Sequence, residues 1–168
     1  FATPWPRFSY QEVMDRFGKD NPDIRFGMEL QDITDLAAGS GFKVFSSVVE
    51  SGGHVRGLNA RGLGDYSRKQ IDELTGYVQQ YGAKGLAYIA ITSQGEQRSS
   101  FAKFLSQGTL DEILARMDAQ PGDLLVFVAD KPPVVYESLA RLRVLLGERL
   151  GLMNPDVLAF CWAVDFLF

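Results

Sequence analysis

Apolar positions along this chain recur at two spacings, three-to-four and two, and the switches between them mark the elements. Ser9-Tyr10-Gln11-Glu12 opens the first helical stretch as a capping box: the Ser9 hydroxyl accepts from the backbone at Glu12, whose carboxylate reaches back. A helix is predicted from Tyr10 to Phe17, stopped by Gly18. Pro22 biases Asn21 away from helix, so Lys19 to Asp23 reads as a loop. Met28 to Ile33 is predicted as a strand, and Asp35 to Ala38 as one helical turn stopped by Gly39 and Gly41. Lys43 to Glu50 is rich in Val and Phe, which predicts a strand. Ser51-Gly52-Gly53-His54 would turn it into a hairpin with Val55 to Asn59. Gly57, Gly62 and Gly64 make the stretch after it irregular.

Ser67-Arg68-Lys69-Gln70 is a second capping box, opening a helix with Ile71, Leu74, Val78 and Tyr81 on one face, which Gly82 ends. Leu86 to Thr92 is a strand covered on both sides at its centre, and Ser93 to Ser99 is a polar loop. Thr109-Leu110-Asp111-Glu112 reads as a third capping box, starting a helix with Leu110, Ile113, Leu114 and Met117 inward. Pro121-Gly122-Asp123 is a turn, and Leu124 to Ala129 is a continuous apolar strand. Lys131-Pro132-Pro133 leads into a long helix, Val134 to Leu150, closed by Gly151. Asn154-Pro155 turns into a last buried strand, Ala159 to Phe168. The fold class is α+β: a compact unit over 42–130, with flanks 1–41 and 131–168 that read as pieces of a neighbouring domain.

Composition narrows the function. Apolar residues make up 46% and charged residues 23% of 168, ordinary for a globular domain large enough to bury a core without disulfides or metal. No apolar stretch has the length of a membrane span. The N-terminus lacks a Met and the regions of a signal peptide, so the chain reads as the middle of a longer one. Seventeen basic against twenty-one acidic residues, net −4, argue against a dedicated basic nucleic-acid binder but leave room for a local basic face. The single cysteine, Cys161, between Phe160 and Trp162, reads as a buried structural thiol, which suits a reducing compartment and predicts a cytoplasmic protein.

His54, the only histidine, has no visible partner and is expected exposed in its glycine-rich turn. Asp118, Asp123 and Asp130 sit where turns and element ends need caps, so no acid–base or metal role is assigned to them. The glycines from 52 to 64 are not followed by the Gly-Lys-Ser/Thr of a phosphate loop. The candidate RNA contacts are Arg68, Lys69, Lys84 and Lys103. Positive charge in a first helical turn opposes the helix dipole, so stability does not explain Arg68 and Lys69. Lys84 and Lys103 stand beside strand or loop ends.

Several strings, in order, carry a resemblance. They are Trp5-Pro6-Arg7-Phe8-Ser9-Tyr10-Gln11-Glu12-Val13-Met14, Arg16-Phe17-Gly18 through Pro22-Asp23-Ile24-Arg25-Phe26-Gly27-Met28-Glu29-Leu30, and Gly41-Phe42-Lys43-Val44-Phe45. After these come Gly82-Ala83-Lys84-Gly85-Leu86-Ala87-Tyr88-Ile89, Phe101-Ala102-Lys103-Phe104-Leu105, Gly122 to Asp130, and Leu142 to Leu152. Together they resemble the GAD domain, the insertion in the class II catalytic core of bacterial-type aspartyl-tRNA synthetases, with short catalytic-domain flanks. Three positions depart from that pattern: Asn21 for Lys, Phe8 for Met, and no proline before Leu167. The resemblance implies a mixed sheet with helices, and a parent homodimer that activates aspartate with ATP and Mg2+ and transfers it to tRNA. The family's ATP- and aspartate-binding residues fall outside these strings, so no catalytic, cofactor-binding or metal residue is assigned here. The expected role is to flank the tRNA acceptor end or brace the catalytic core. The alternative is a free-standing RNA- or protein-binding module diverged from such an insertion.

Overall fold

A computed structural model describes residues 7–19, 28–151 and 162–164, with Arg7 and residues 162–164 described by backbone alone. The loop after Lys19, the turn at Asn154-Pro155, Cys161, Asn21, Leu167 and most of the last predicted strand lie outside the described residues.

Strand β1 (Arg7–Ser9) runs directly into helix α1 (Tyr10–Phe17). Ser9 Oγ accepts the Glu12 N–H at 3.0 Å, and Gly18, at φ 77°, ends the helix in the left-handed conformation. A side chain at Gly18 would lie 2.6 Å from the Tyr136 carbonyl oxygen, so glycine also permits the close approach of this corner. The predicted strand at 28–33 contracts to β2 (Gln31–Asp32), followed by one helical turn, α2 (Thr34–Ala37).

Lys43 to Glu50 is the main departure from expectation. It forms a helix, α3 (Lys43–Glu50), and the expected hairpin is a helix-to-strand connection. Phe42, Phe45 and Val49 recur at helical spacing against the core, while Val44 is 55% exposed. Packing of that stripe outweighs the β propensity of Val and Phe.

Strand β3 (His54–Arg61) starts at the histidine expected in a turn. Helix α4 (Arg68–Gln79) carries both bonds of its capping box, Gln70 N–H to Ser67 Oγ at 3.2 Å and Ser67 N–H to Gln70 Oε1 at 2.8 Å. After β4 (Ala87–Ile91), the segment read as a polar loop returns as a short strand, β5 (Gln97–Ser99), because pairing with β4 satisfies its backbone. A 3-10 turn at Ala102–Phe104 leads to α5 (Gln107–Arg116). Its cap is Ser106, with Thr109 supplying the N–H, so the helix starts one turn before the expected Thr109 cap. Strand β6 (Asp123–Asp130), helix α6 (Pro132–Arg149) and strand β7 (Trp162–Val164) are the remaining described elements.

The strands β2-β3-β6-β4-β5 form one five-stranded sheet with every pair antiparallel. The parallel pairing that a mixed sheet requires is confined to a separate two-stranded sheet, β1 with β7. The expected α+β class holds. Alternation along β6 sends Leu124, Val126 and Val128 to one face, under α4 and α6, and Leu125 and Phe127 to the other, under α2, α3 and α5. Burial on both faces explains why β6 reads as an unbroken apolar run.

Candidate nucleic-acid interface

The site is built from aromatic side chains that α3 and the 3-10 turn bring together. Phe101 is fully buried and stacks on Phe42, with ring centroids 5.4 Å apart. Phe42 stacks in turn on Phe104, at 5.7 Å and 10° between planes, and Phe104 is 46% exposed. The turn is pinned by Ser99, whose Oγ accepts the N–H groups of Phe101 and Ala102 at 3.1 and 3.0 Å and donates to the Tyr88 carbonyl at 2.8 Å. Gly41 allows the contact: a Cβ there would lie 2.3 Å from the Phe104 carbonyl oxygen.

Beside this stack lies a groove of about 620 Å3 between α3 and the segment entering β4. Its floor is Phe127 and Ala129, and its walls include Phe42, Val44, Val48 and Leu86. Lys43 and Lys84 stand on its rim, and no carboxylate is among its lining residues. Gln79 Nε2 donates to the Lys84 carbonyl at 3.1 Å, holding the loop that carries this lysine. Lys103 Nζ lies 5.2 Å from the Phe104 ring centroid, in cation–π range. Lys43, Lys84 and Lys103 are all exposed and, among the described residues, none is paired with a carboxylate.

The four cations chosen from sequence therefore divide. Lys84 lines the aromatic groove and Lys103 lies over Phe104, whose ring stacks on the groove's Phe42, while Arg68 and Lys69 lie at the opposite end of α4, roughly 16 Å of helix away. Arg68 is 80% exposed and faces Asp72 at 3.6 Å. Near it, Arg98 Nη2 donates to the Tyr66 carbonyl at 2.6 Å and Arg149 reaches the Tyr66 hydroxyl at 3.5 Å. Lys43, Arg98 and Arg149 are not among the cations that sequence reasoning selects. Lys43 adjoins the Gly41-Phe42 pair, which is a usable signal. Arg98 and Arg149 become neighbours of Tyr66 only through the fold.

The three carboxylates weighed from sequence each have partners in the fold. Asp123, 4% exposed, accepts from Arg61 Nη1 and Asn59 Nδ2, both at 3.1 Å, and from the Gln120 N–H at 2.9 Å. Asp118 takes the other Arg61 nitrogen at 2.5 Å, and Asp130 accepts the Lys131 N–H at 2.8 Å. Arg56, buried, bridges Asp15 and Asp32 at 3.2 Å each and lies over the Tyr136 ring. Tyr136 donates to Asp15 at 2.8 Å; burial first, then that carboxylate, raises its pKa above the ordinary phenol value. The Arg116 hydrogen bond holds the Asp35 carboxyl below its usual range. His54 is half-buried with its ring edge-on to Tyr136, 6.5 Å away, not exposed as expected. Among the described residues no three His, Cys, Asp or Glu side chains converge as a metal site, and no helix is long and apolar enough to cross a membrane.

Comparison with known proteins adds two findings. The GAD domain family model matches residues 45–139. The chain is 57% identical over 98% of its length to an aspartate–tRNA(Asp/Asn) ligase of Symbiobacterium thermophilum and 52% identical over 98% to one of Moorella thermoacetica. It is 49% identical over 98% to an aspartate–tRNA ligase of Ruminiclostridium cellulolyticum. The chain spans only 27 to 28% of the length of these curated relatives.

Proposed function

The chain belongs to the GAD domain family, and from that premise we propose that it is the inserted domain of an aspartate–tRNA ligase, with a little of the surrounding catalytic domain at each end. The observation that carries this is the parallel pairing of β1 with β7, Arg7 opposite Trp162 and Ser9 opposite Val164, in a sheet separate from the five-stranded one. A parallel pair needs a crossover connection, and here the connection is the entire helix–sheet–helix domain. A two-stranded sheet is marginal alone, so this pair is read as part of a larger sheet supplied by the rest of the protein. Because β2 and α6 pack with the five-stranded sheet, the insertion is drawn wider than 42–130, to include both.

In this reading the whole protein activates aspartate with ATP and Mg2+ and esterifies tRNA, as a cytoplasmic homodimer. ATP, Mg2+ and aspartate are held by residues outside this chain. The insertion contributes RNA-facing surface at the acceptor end. The lysine-rimmed groove and the cations about Tyr66 support that role, since phosphate contacts depend on local charge and not on the net −4.

The test uses the full-length protein beside the 168-residue chain. The full-length protein is expected to catalyse aspartate-dependent ATP–pyrophosphate exchange and to charge tRNA, while the chain alone does neither. Robust exchange by the chain alone would overturn the assignment. A full-length protein without exchange would return the reading of a free-standing RNA- or protein-binding module.

A further inference from the structure

We infer that the groove between α3 and the start of β4 holds single-stranded RNA, with the unpaired 3′ end of tRNA as its occupant; this rests on the tRNA-ligase reading above. One base stacks on Phe104, and backbone phosphates lie against Lys43, Lys84 and Lys103. Three observations converge. Among the described residues the exposed large hydrophobic side chains are Val44 and Phe104, and both belong to this one groove and its aromatic edge. Phe104 is backed by Phe42 and, behind that, Phe101, so it is a rigid flat platform that loses little freedom when a base covers it. The groove is lined by Lys43 and Lys84 and by no carboxylate, and Lys103 lies over the adjoining Phe104 ring, in a chain of net charge −4, a local polarity opposite to that of the molecule.

This chemistry selects single strands. A duplex keeps its base faces stacked and inaccessible, whereas an unpaired end offers both a free π face and phosphates. Gly41 sets the platform's position, because any side chain there drives against the Phe104 carbonyl. An acidic amphipathic peptide is the competing occupant, but it would leave the flat, solvent-facing ring and its neighbouring Lys103 with no specific use.

The experiment measures binding of full-length protein to a 5′-labelled tRNA transcript, intact or trimmed of its unpaired 3′ nucleotides, by fluorescence anisotropy. Phe104→Ala is expected to weaken binding of the intact transcript roughly five- to a hundredfold, and Phe104→Trp to restore it. The trimmed transcript should lose most of that dependence, so that the two changes are far from additive. Changing Lys84 and Lys103 together to Ala should lower the salt dependence by about 0.7 of a logarithmic slope per phosphate lost. Equal loss by Phe104→Ala on intact and trimmed transcripts, or no loss, overturns the proposal. Displacement of a bound acidic peptide with tRNA binding untouched would do the same and assign the groove to a protein. Aspartate-dependent exchange is measured on each variant. Normal exchange with a null binding result sinks the groove alone, whereas absent exchange in the unaltered protein sinks the ligase reading. Because Phe104 is half-exposed, its truncation leaves the buried core intact, and Lys43→Glu gives a second, surface variant expected to weaken the intact transcript.

Discussion

Arg56 carries the densest set of interactions of any charged side chain described in β3. It joins Asp15 of α1 to Asp32 of β2 and covers the ring of Tyr136 on α6, so one guanidinium ties together four elements. Tyr136 completes the arrangement through its bond to Asp15. Removing that hydroxyl with Tyr136→Phe should cost about 1 kcal/mol at pH 7, less than is usual for a bond to a charged group because Asp15 is 39% exposed. The pH dependence has a definite sign. The phenol's pKa is raised in the fold, so its contribution is complete below the unfolded value near 10 and is lost as pH climbs through the folded value. The stability gap between the unaltered protein and the Tyr136→Phe variant should therefore shrink above pH 10, which paired urea unfolding curves at neutral and alkaline pH would check. At this scale the sequence is informative about carboxylates: Asp118, Asp123 and Asp130 read as structural and are engaged with Arg61 and backbone N–H groups. It is silent about Arg56, since its partners lie on other elements, Asp15 alone being 41 residues upstream.

Among the elements, the ones with a strong local signal are legible. Ser9 and Ser67 cap the helices their sequences announce, Pro132 and Pro133 open α6, and the apolar run from Leu124 is the central strand. Helix α3 is not, because eight residues rich in Val and Phe satisfy a strand composition, and only Phe101, Phe104 and Phe127, distant in sequence, select the helical face. Strand β5 escapes notice because Gln97-Arg98-Ser99 has no apolar alternation and owes its conformation to β4. The same reasons govern the candidate site: Lys84 and Lys103 can be picked as cations, but the Phe42–Phe104 stack that Lys103 overlies beside the groove cannot. The helical assignment makes a sharp prediction. Phe45→Ala should cost roughly 3 to 5 kcal/mol, as a buried ring truncated in a core, whereas Val44→Ala next to it should stay within about 0.5 kcal/mol. Chemical denaturation of the two variants would check it; similar losses would mean that both positions face the core.

For the molecule as a whole, the sheet lies between two helical layers, each with its own apolar cluster, and the second of these clusters continues to the surface at the aromatic groove. The buried core and the proposed recognition edge thus share the same phenylalanines. The pairing of β1 with β7 has a kinetic corollary. In an unfolded chain, bringing these strands together would close a loop of roughly 150 residues, about 3 kcal/mol harder than closing a four-residue turn. Once the domain between them has folded, its own ends are already side by side and that entropic barrier largely disappears. Pulse-labelled hydrogen exchange on the refolding full-length protein should find β3 and β6 amides protected before those of β1 and β7. Phe45→Ala, in the apolar cluster between the sheet and α2, α3 and α5, should delay protection of β1. During synthesis β1 would emerge well before β7, so the folding rate of the domain between them would set the pace at which the two strands pair.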